Sequence, residues 1–344
     1  VLNMVVGPGS SVGEALVTDE RVQAISFTGS NAVGMHINQA AAKRGARVTL
    51  EMGGKNAVIV LDDADLDAAA TAITSGAFGA TGQRCTATSR VIVTPGVEGA
   101  LLERLVAKAQ ALKIGPGLDE RSDLAPAVDA RQYRTDLTYL EVARSDGAEL
   151  VYGGKPLEQG GGYFLEPAIF ANVSPEMRIF QEEVFGPVLA LHVAPDFERA
   201  LGAANAVPYG LAASLFTQDV SRAMRYVEEI EVGMVHVNEP TIGGEAQLPF
   251  GGAKATGVGP REIDFAQLYD CFTPVVLIEL QDLGFCAKGE AGAFVAAGHT
   301  APGGSLPVNT HGGLLSHAHP GHPGTLFALT ETVRQLRGEC GERQ

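Results

Sequence analysis

The chain has 344 residues, enough for two domains and a substantial buried core. Forty acidic against twenty-five basic residues leave a formal charge of −15, which argues against a nucleic-acid groove or an anionic membrane surface as partner. A small polar or anionic ligand must then rely on local positive groups or helix N-termini. The apolar runs at 57–61 and 274–278 are too short to span a bilayer. No segment has the basic start and long apolar middle of a signal peptide, so a cytoplasmic protein is the expectation. The four cysteines, Cys85, Cys271, Cys286 and Cys340, form no CxxC pair and read as reduced thiols. Val1 is not a natural start, and the chain is expected to be a fragment.

Taken in order, the chain alternates short strands with helices. "LNMVVG" (2–7) reads as a strand, 10–19 as a helix opening on serine, and "RVQAISF" (21–27) as a second strand. A turn and helix follow over 28–45, then a strand "RVTLEM" (47–52) and another in "NAVIVL" (56–61). A helix runs from Asp65 to about Phe78, and "SRVIV" (89–93) is a strand. The next helix is amphipathic, carrying Leu101, Leu102, Leu105, Val106, Ala109 and Leu112. Strands are expected at 187–193, 213–217 and 233–238, separated by helices over 197–206 and 220–230. This alternation is the pattern of an α/β fold, parallel sheets with covering helices. From about residue 284 the texture changes, and Gly, His and Pro crowd the chain to 325.

Residue chemistry alone leaves the functional candidates open. Gly7, Gly9 and Gly13 lie between a strand and a helix, where backbone amides can meet a pyrophosphate. Their spacing is not GxGxxG, so an ordinary turn is equally consistent. Cys85, in "GATGQRCTATSR" (79–90), is either a buried small side chain or a reactive thiol. Glu51, at a strand end, is either a solvated carboxylate or a base. The cluster His311, His317, His319 and His322 has no i, i+4 pair and no nearby acidic ligand, so it reads as a loop and no metal is expected.

Six motifs in order alter the balance. "FTGSNAVG" (27–34), "LEMGGKNAVIV" (50–60), "GQRCTA" (82–87), "EEVFGPV" (182–188), "NAVPYGLAASLFT" (205–217) and "LPFGGAKATGVG" (248–259) resemble the aldehyde dehydrogenase superfamily over residues 1 to about 260. The resemblance implies oxidation of a small-molecule aldehyde to a carboxylic acid, with NAD or NADP as hydride acceptor. It makes Cys85 the nucleophile and Glu51 the general base. It assigns Gly9, Gly13, Ser30 and Val33 to the pyrophosphate and adenine side of the cofactor, Gly53 to the space beside the nicotinamide, and Glu183 with Phe185 to the nicotinamide ribose.

The chemistry suits those residues. A thiolate turns a flat carbonyl into a tetrahedral centre from which hydride can leave. A carboxylate can then take a proton from the water that cleaves the thioester. Backbone N–H groups around Cys85 can stabilise the oxyanion, and the pattern calls for no metal. A homo-oligomer is expected of the family.

The resemblance implies a division into 1–50, the second half of a dinucleotide-binding domain, 51–237, the catalytic domain, and 238–260, a closing segment. The family's first cofactor half does not precede Val1, so an incomplete cofactor domain and weak cofactor binding are expected. Residues 261–344, including "GGSLPVNTHGGLLSHAHPG" (303–321), resemble the C-terminal half of thiolases of the sterol-carrier-protein type, a partial α/β tail. That resemblance puts His319 in an acyl-thioester turn and leaves Cys271 to core packing. A fusion is the expected architecture, its crossover within 255–262. The alternatives are a thiolase-type protein handling acyl-CoA and an inactive fusion fragment.

Overall fold

The computed structural model describes residues 3–158, 161–243 and 250–256, and beyond these 266, 268, 273–282, 285–287, 289–310, 331, 332, 334, 335 and 340. It divides into two compact units, Val1–Gly257 and Val258–Gln344.

The first unit opens on irregular backbone, where Met4, Val5 and Val6 are exposed. The strand expected over 2–7 is absent from its described residues, because β-rich composition makes a strand only where a neighbouring edge takes its hydrogen bonds. The helix expected over 10–19 starts as a wide π-helical turn, Gly9–Gly13, and continues as α1 (Glu14–Thr18). Strand β1 (Ala24–Gly29), helix α2 (Asn31–Ala42) and strand β2 (Arg47–Met52) complete a βαβ unit whose strands pair in parallel. Val17, Ile37, Leu50 and Met52 form its small core. Gly34 lies close against Met52, whose side chain would have to shift to admit a Cβ there.

A larger sheet follows, with covering helices and two separate two-stranded antiparallel pairs. The elements are β3 (Asn56–Val60), α3 (Leu66–Phe78), β4 (Thr88–Val93), α4 (Glu98–Ala111), α5 (Ala130–Ser145), β5 (Glu149–Tyr152), β6 (Pro156–Leu157), β7 (Phe164–Leu165) and β8 (Ala168–Ala171). They continue through α6 (Arg178–Gln181), β9 (Val188–Val193), α7 (Phe197–Asn205), β10 (Tyr209–Gly210), β11 (Ala212–Phe216), α8 (Val220–Glu229), β12 (Met234–Val237) and β13 (Ala253–Lys254). Among the described residues the strand order of the large sheet is β12-β11-β3-β4-β9-β8-β5, with β5 antiparallel to β8 and the other neighbours parallel. The separate pairs are β6 with β7 and β10 with β13.

Every residue of β3 is buried, which is why "NAVIV" reads as a continuous apolar run instead of alternating. Ala57 and Ile59 pack into one core layer with Leu140, Phe180 and Tyr226. Val58 and Val60 pack into the opposite layer with Ile73, Phe78, Leu101 and Leu105. Part of the acidic excess serves the helix ends. Asp65, Asp129, Asp196 and Asp219 each accept backbone N–H groups at the first turn of α3, α5, α7 and α8. Each such cap contributes about 1 kcal/mol.

In the second unit, helices α9 (Thr273–Asp282) and α10 (Ala291–Ala296) share a small apolar cluster built on Leu280, Ala291 and Leu306. Thr310, Glu331 and Gln335 form a buried hydrogen-bonded group, with Thr310 Oγ1 donating to Glu331 Oε1 at 2.9 Å. Cys271, His311, His317, His319 and His322 lie outside the described residues. No helix among the described residues is long and apolar enough to cross a membrane.

Candidate active site

Strand β2 ends in Glu51 and Met52, and the chain then turns through Gly53 and Gly54 before entering β3. A third stretch fixes this turn. Met52 N–H donates to Thr256 O at 3.1 Å, and Thr256 Oγ1 accepts from Gly210 N–H at 2.9 Å. Thr256 therefore ties the end of β2 to strand β10. Glu51 is half-buried, and burial raises its carboxyl above the ordinary value. Its Oε2 is buried without a hydrogen-bond partner, while Oε1 faces Gly251. A carboxyl raised toward neutrality with a spare lone pair is the right kind of group for general-base work.

Cys85 lies in the loop between α3 and β4, half-buried and not in a disulfide. Burial pushes its thiol above the ordinary cysteine value, although Thr86 N–H, Arg84 and Cys85 N–H act in the opposite sense. Glu183, just beyond α6, comes from a third direction. Its Oε1 accepts Gly54 N–H at 2.9 Å, and burial raises its carboxyl despite that bond.

These stretches meet closely, and at Gly54 the neighbour is backbone that cannot swing aside. A Cβ on Gly53 would stand 2.6 Å from Glu183 Oε1, and one on Gly54 would stand 2.7 Å from Cys85 O. Gly82, at φ +65°, packs against the Gly186 carbonyl, where any side chain would overlap it. Cys85, Gly53, Gly54 and Glu183 are thus brought together, with Glu51 two residues before Gly53. A narrow crevice beside them is lined by Gly54, Gly82, Arg84, Glu183 and Phe185, while Cys85 and Glu51 do not line it. Phe185 stands at φ +59° with its side chain 39 % exposed.

The remaining candidates sit on the first βαβ unit. Gly9 and Gly13 bound the exposed π-helical turn, and nothing lies near either Cα on the side a Cβ would occupy. Ser30 precedes α2 without capping it through its side chain, and Val33 is exposed on the first turn. Asn31 Nδ2 donates to Ala255 O at 2.7 Å, which ties α2 to the segment that also holds Met52.

Several further polar residues here carry no role assigned by the motifs. Lys55 is buried, and burial, with Arg90 adding to it, drives its ammonium down to about 7 against the pull of Glu183 and Glu182. Arg90 is buried too. It donates to Lys55 O at 2.8 Å, Ala203 O at 3.1 Å and Ala204 O at 3.0 Å, and its guanidinium lies over the Phe180 ring. Asn56 opens β3 and spans three backbone groups, its amide reaching the Cys85 loop. The visible signal was a polar residue at the head of an apolar strand. Among the described residues no group of acidic, histidine or cysteine side chains is arranged to hold a metal.

Comparison with known proteins shows the family. The aldehyde dehydrogenase family profile matches residues 1–275, and a thiolase C-terminal domain-like profile matches residues 251–344, so the two overlap over 251–275. The chain is 48% identical over 265 residues to an alpha-ketoglutaric semialdehyde dehydrogenase of Bacillus subtilis, covering 76% of this chain and 54% of that protein. It is 44% identical to a 2,5-dioxopentanoate dehydrogenase of Saccharolobus solfataricus, covering 75% and 54%. Among solved structures, an NAD-dependent aldehyde dehydrogenase from Sinorhizobium meliloti superposes with a TM-score of 0.72 at 36% identity, covering 74% of this chain and 50% of that one. A betaine aldehyde dehydrogenase from Staphylococcus aureus in complex with NAD+ gives 0.72 at 34% identity, covering 74% and 51%. The chain spans about half the length of the relatives it matches. With its family profile running through residue 275 and its fold shared with these enzymes, the chain belongs to the aldehyde dehydrogenase family.

Proposed function

We propose that the chain carries the catalytic apparatus for oxidising a small aldehyde to its carboxylic acid with NAD or NADP, Cys85 acting as nucleophile and Glu51 as general base. The observation that carries this reading is the close approach of the Cys85 loop, the Gly53–Gly54 turn and Glu183 to one another, tightest where Gly54 meets the Cys85 carbonyl. Cys85 Sγ, once deprotonated, bonds to the carbonyl carbon, and the carbonyl oxygen becomes an oxyanion beside the loop's N–H groups. Bound NAD(P)+ would supply the acceptor for the hydride that leaves that carbon. Glu51 takes a proton from water as the water's oxygen bonds to the thioester carbon, and the acid departs as the C–S bond breaks and Cys85 recovers its sulfur.

The residues present fit such a cofactor. Glu183 is oriented by Gly54 N–H to accept from ribose hydroxyls, Gly53 leaves room beside it, and Phe185 offers a ring face at the crevice. Gly9, Gly13, Ser30 and Val33 would take the pyrophosphate and adenine side, where the turn before α2 presents its N-terminus. The relatives' names make a 2-oxo acid semialdehyde the first substrate to try. A homo-oligomer and a cytoplasmic setting belong to the same reading.

Alkylation with iodoacetamide followed by peptide mapping tests it. Cys85 is expected to react ahead of the other cysteines and to be protected by NAD+ plus the semialdehyde. Preferential labelling of another cysteine, with no such protection, overturns the assignment. The match over 251–344 favours a subordinate reading, acyl-thioester handling by the tail. Binding of a CoA ester that survives deletion of residues 1–255 supports that reading, and loss of binding on deletion removes it.

A further inference from the structure

The loop that carries Cys85 is held by its carbonyls. Asn56 Nδ2 donates to Cys85 O at 2.8 Å and to Ala87 O at 2.8 Å. Thr241 Oγ1 donates to Thr86 O, the carbonyl between them, at 2.8 Å. Three consecutive carbonyls, 85 to 87, therefore each accept from a buried side chain.

Both donors are anchored in turn. Asn56 Oδ1 accepts Ala212 N–H at 3.0 Å, so its amide bridges the start of β11 to the loop ahead of β4. This amide has only one consistent orientation, since Ala212 N–H can only donate and the two carbonyls can only accept. All of its strong hydrogen-bonding groups are engaged. Thr241 spends its one proton on Thr86 O, so the 2.8 Å contact with Thr88 Oγ1 must have Thr88 as donor. Asn56, Thr88 and Thr241 are all nearly inaccessible, at 2 %, 2 % and 1 % exposure. Buried polar groups with every partner in place rigidify the segment they hold.

The backbone consequence is directional. A trans peptide points its C=O and N–H to opposite sides. The Cys85 carbonyl shares its peptide with Thr86 N–H, and the Thr86 carbonyl shares its peptide with Ala87 N–H, which closes a turn onto Arg84 O at 3.0 Å; Arg84 O in turn shares its peptide with Cys85 N–H. Both Thr86 N–H and Cys85 N–H act to lower the Cys85 thiol. The geometry points to Asn56 and Thr241 as positioning residues: Asn56, on Cys85 O, sets Thr86 N–H, and Thr241, on Thr86 O, holds Ala87 N–H on Arg84 O and so sets the peptide that carries Cys85 N–H, both N–H groups then serving the sulfur and the oxygen of the carbonyl it attacks. Neither residue touches the reacting atoms. This inference rests on the reading of Cys85 as nucleophile.

Thr241→Val tests it, because the shape is kept and only the hydroxyl is lost. Asn56→Ala is the companion variant. Two rates are measured on the full chain: iodoacetamide alkylation of Cys85 across pH, and acetyl transfer to Cys85 from p-nitrophenyl acetate. Urea unfolding runs alongside. Both variants are expected to alkylate with a pH midpoint above that of the parent chain, and to accept acetyl about tenfold more slowly, the size expected for one weakened oxyanion contact. Thr241→Ser restores both. Should Asn56→Ala fail to fold, the Thr241 pair carries the test. A folded Thr241→Val with the parental pH midpoint and acetylation rate overturns the inference, and so does failure of Thr241→Ser to restore them. If the parent chain takes no acetyl on Cys85, the nucleophile reading fails. The alkylation midpoints then still report whether Asn56 and Thr241 set the sulfur's surroundings.

Discussion

Gly82→Ala gives a direct measure of how tightly the Cys85 loop is seated. At φ +65° an alanine pays about 1–2 kcal/mol for the left-handed conformation. Its Cβ also overlaps the Gly186 carbonyl and stands 3.0 Å from Pro187 N. Backbone cannot swing aside as a side chain does, so overpacking adds about 1–3 kcal/mol. The sum is about 2–5 kcal/mol. Gly154→Ala is the control, because φ is nearly the same at +70° and the nearest neighbours, Leu140 Cδ1 at 3.4 Å and Ala168 Cβ at 3.5 Å, are in ordinary contact. Any entropy lost from the unfolded chain is common to both substitutions and cancels. Urea unfolding of the two variants should differ by about 1–3 kcal/mol at equal slope, with Gly82→Ala the weaker. Equal midpoints refute the close seating of the loop on the Gly186 turn. Alkylation of Cys85 serves as a second reading of the same displacement.

Three further outcomes follow from the buried charges. Burial raises the Asp136 carboxyl to about 7, although Gln132 donates to it. The folded chain keeps a proton that the unfolded chain releases near 3.8, so stability falls as pH rises between those values and the penalty is complete above about 7. Asp136→Asn should therefore raise the melting temperature at pH 8 and change it little at pH 4; equal shifts at both would refute the cause. For Lys55 the order is reversed. The unfolded chain takes up a proton near 10.5 and the folded one only near 7, so stability is lost as pH falls through that window. Lys55→Met should then stabilise at pH 7 and lose its advantage toward pH 10.5, as read from urea midpoints across pH. Arg90→Met should cost about 1–3 kcal/mol in urea unfolding for each of the Lys55, Ala203 and Ala204 carbonyls that it leaves without a donor. A loss below about 1 kcal/mol would mean that water reaches those carbonyls.

The strands of the large sheet were legible where apolar runs were long and bounded, as in "NAVIV" and "VLALHV". β5 to β8 were not, because strands of two to four residues carry no periodic signal. The helix α5 was hidden by its polar surface, with Arg131, Arg134 and Thr138 interleaved among its apolar positions. "LNMVVG" misled because composition says nothing of whether a partner strand is present. At the site, Cys85, Gly53 and Glu183 stood out through their motifs, and the structure places them together. Asn56 and Thr241 did not stand out. Thr241 meets Thr86 from 155 residues away, and a lone threonine in a loop has no local feature that foretells it. Lys55 was unreadable for a similar reason, since a lysine beside two glycines gives no sign that it will be buried.

In the proposed reaction Cys85 attacks a carbonyl carbon and Glu51 activates the water that releases the acyl group. Glu51→Gln treated with p-nitrophenyl acetate tests both parts without a cofactor. The account predicts a burst of about one p-nitrophenolate per chain, a single acetyl group mapped to Cys85, and slow release compared with the parent chain. Acetyl on another residue, or release from Glu51→Gln at the parental rate, contradicts it.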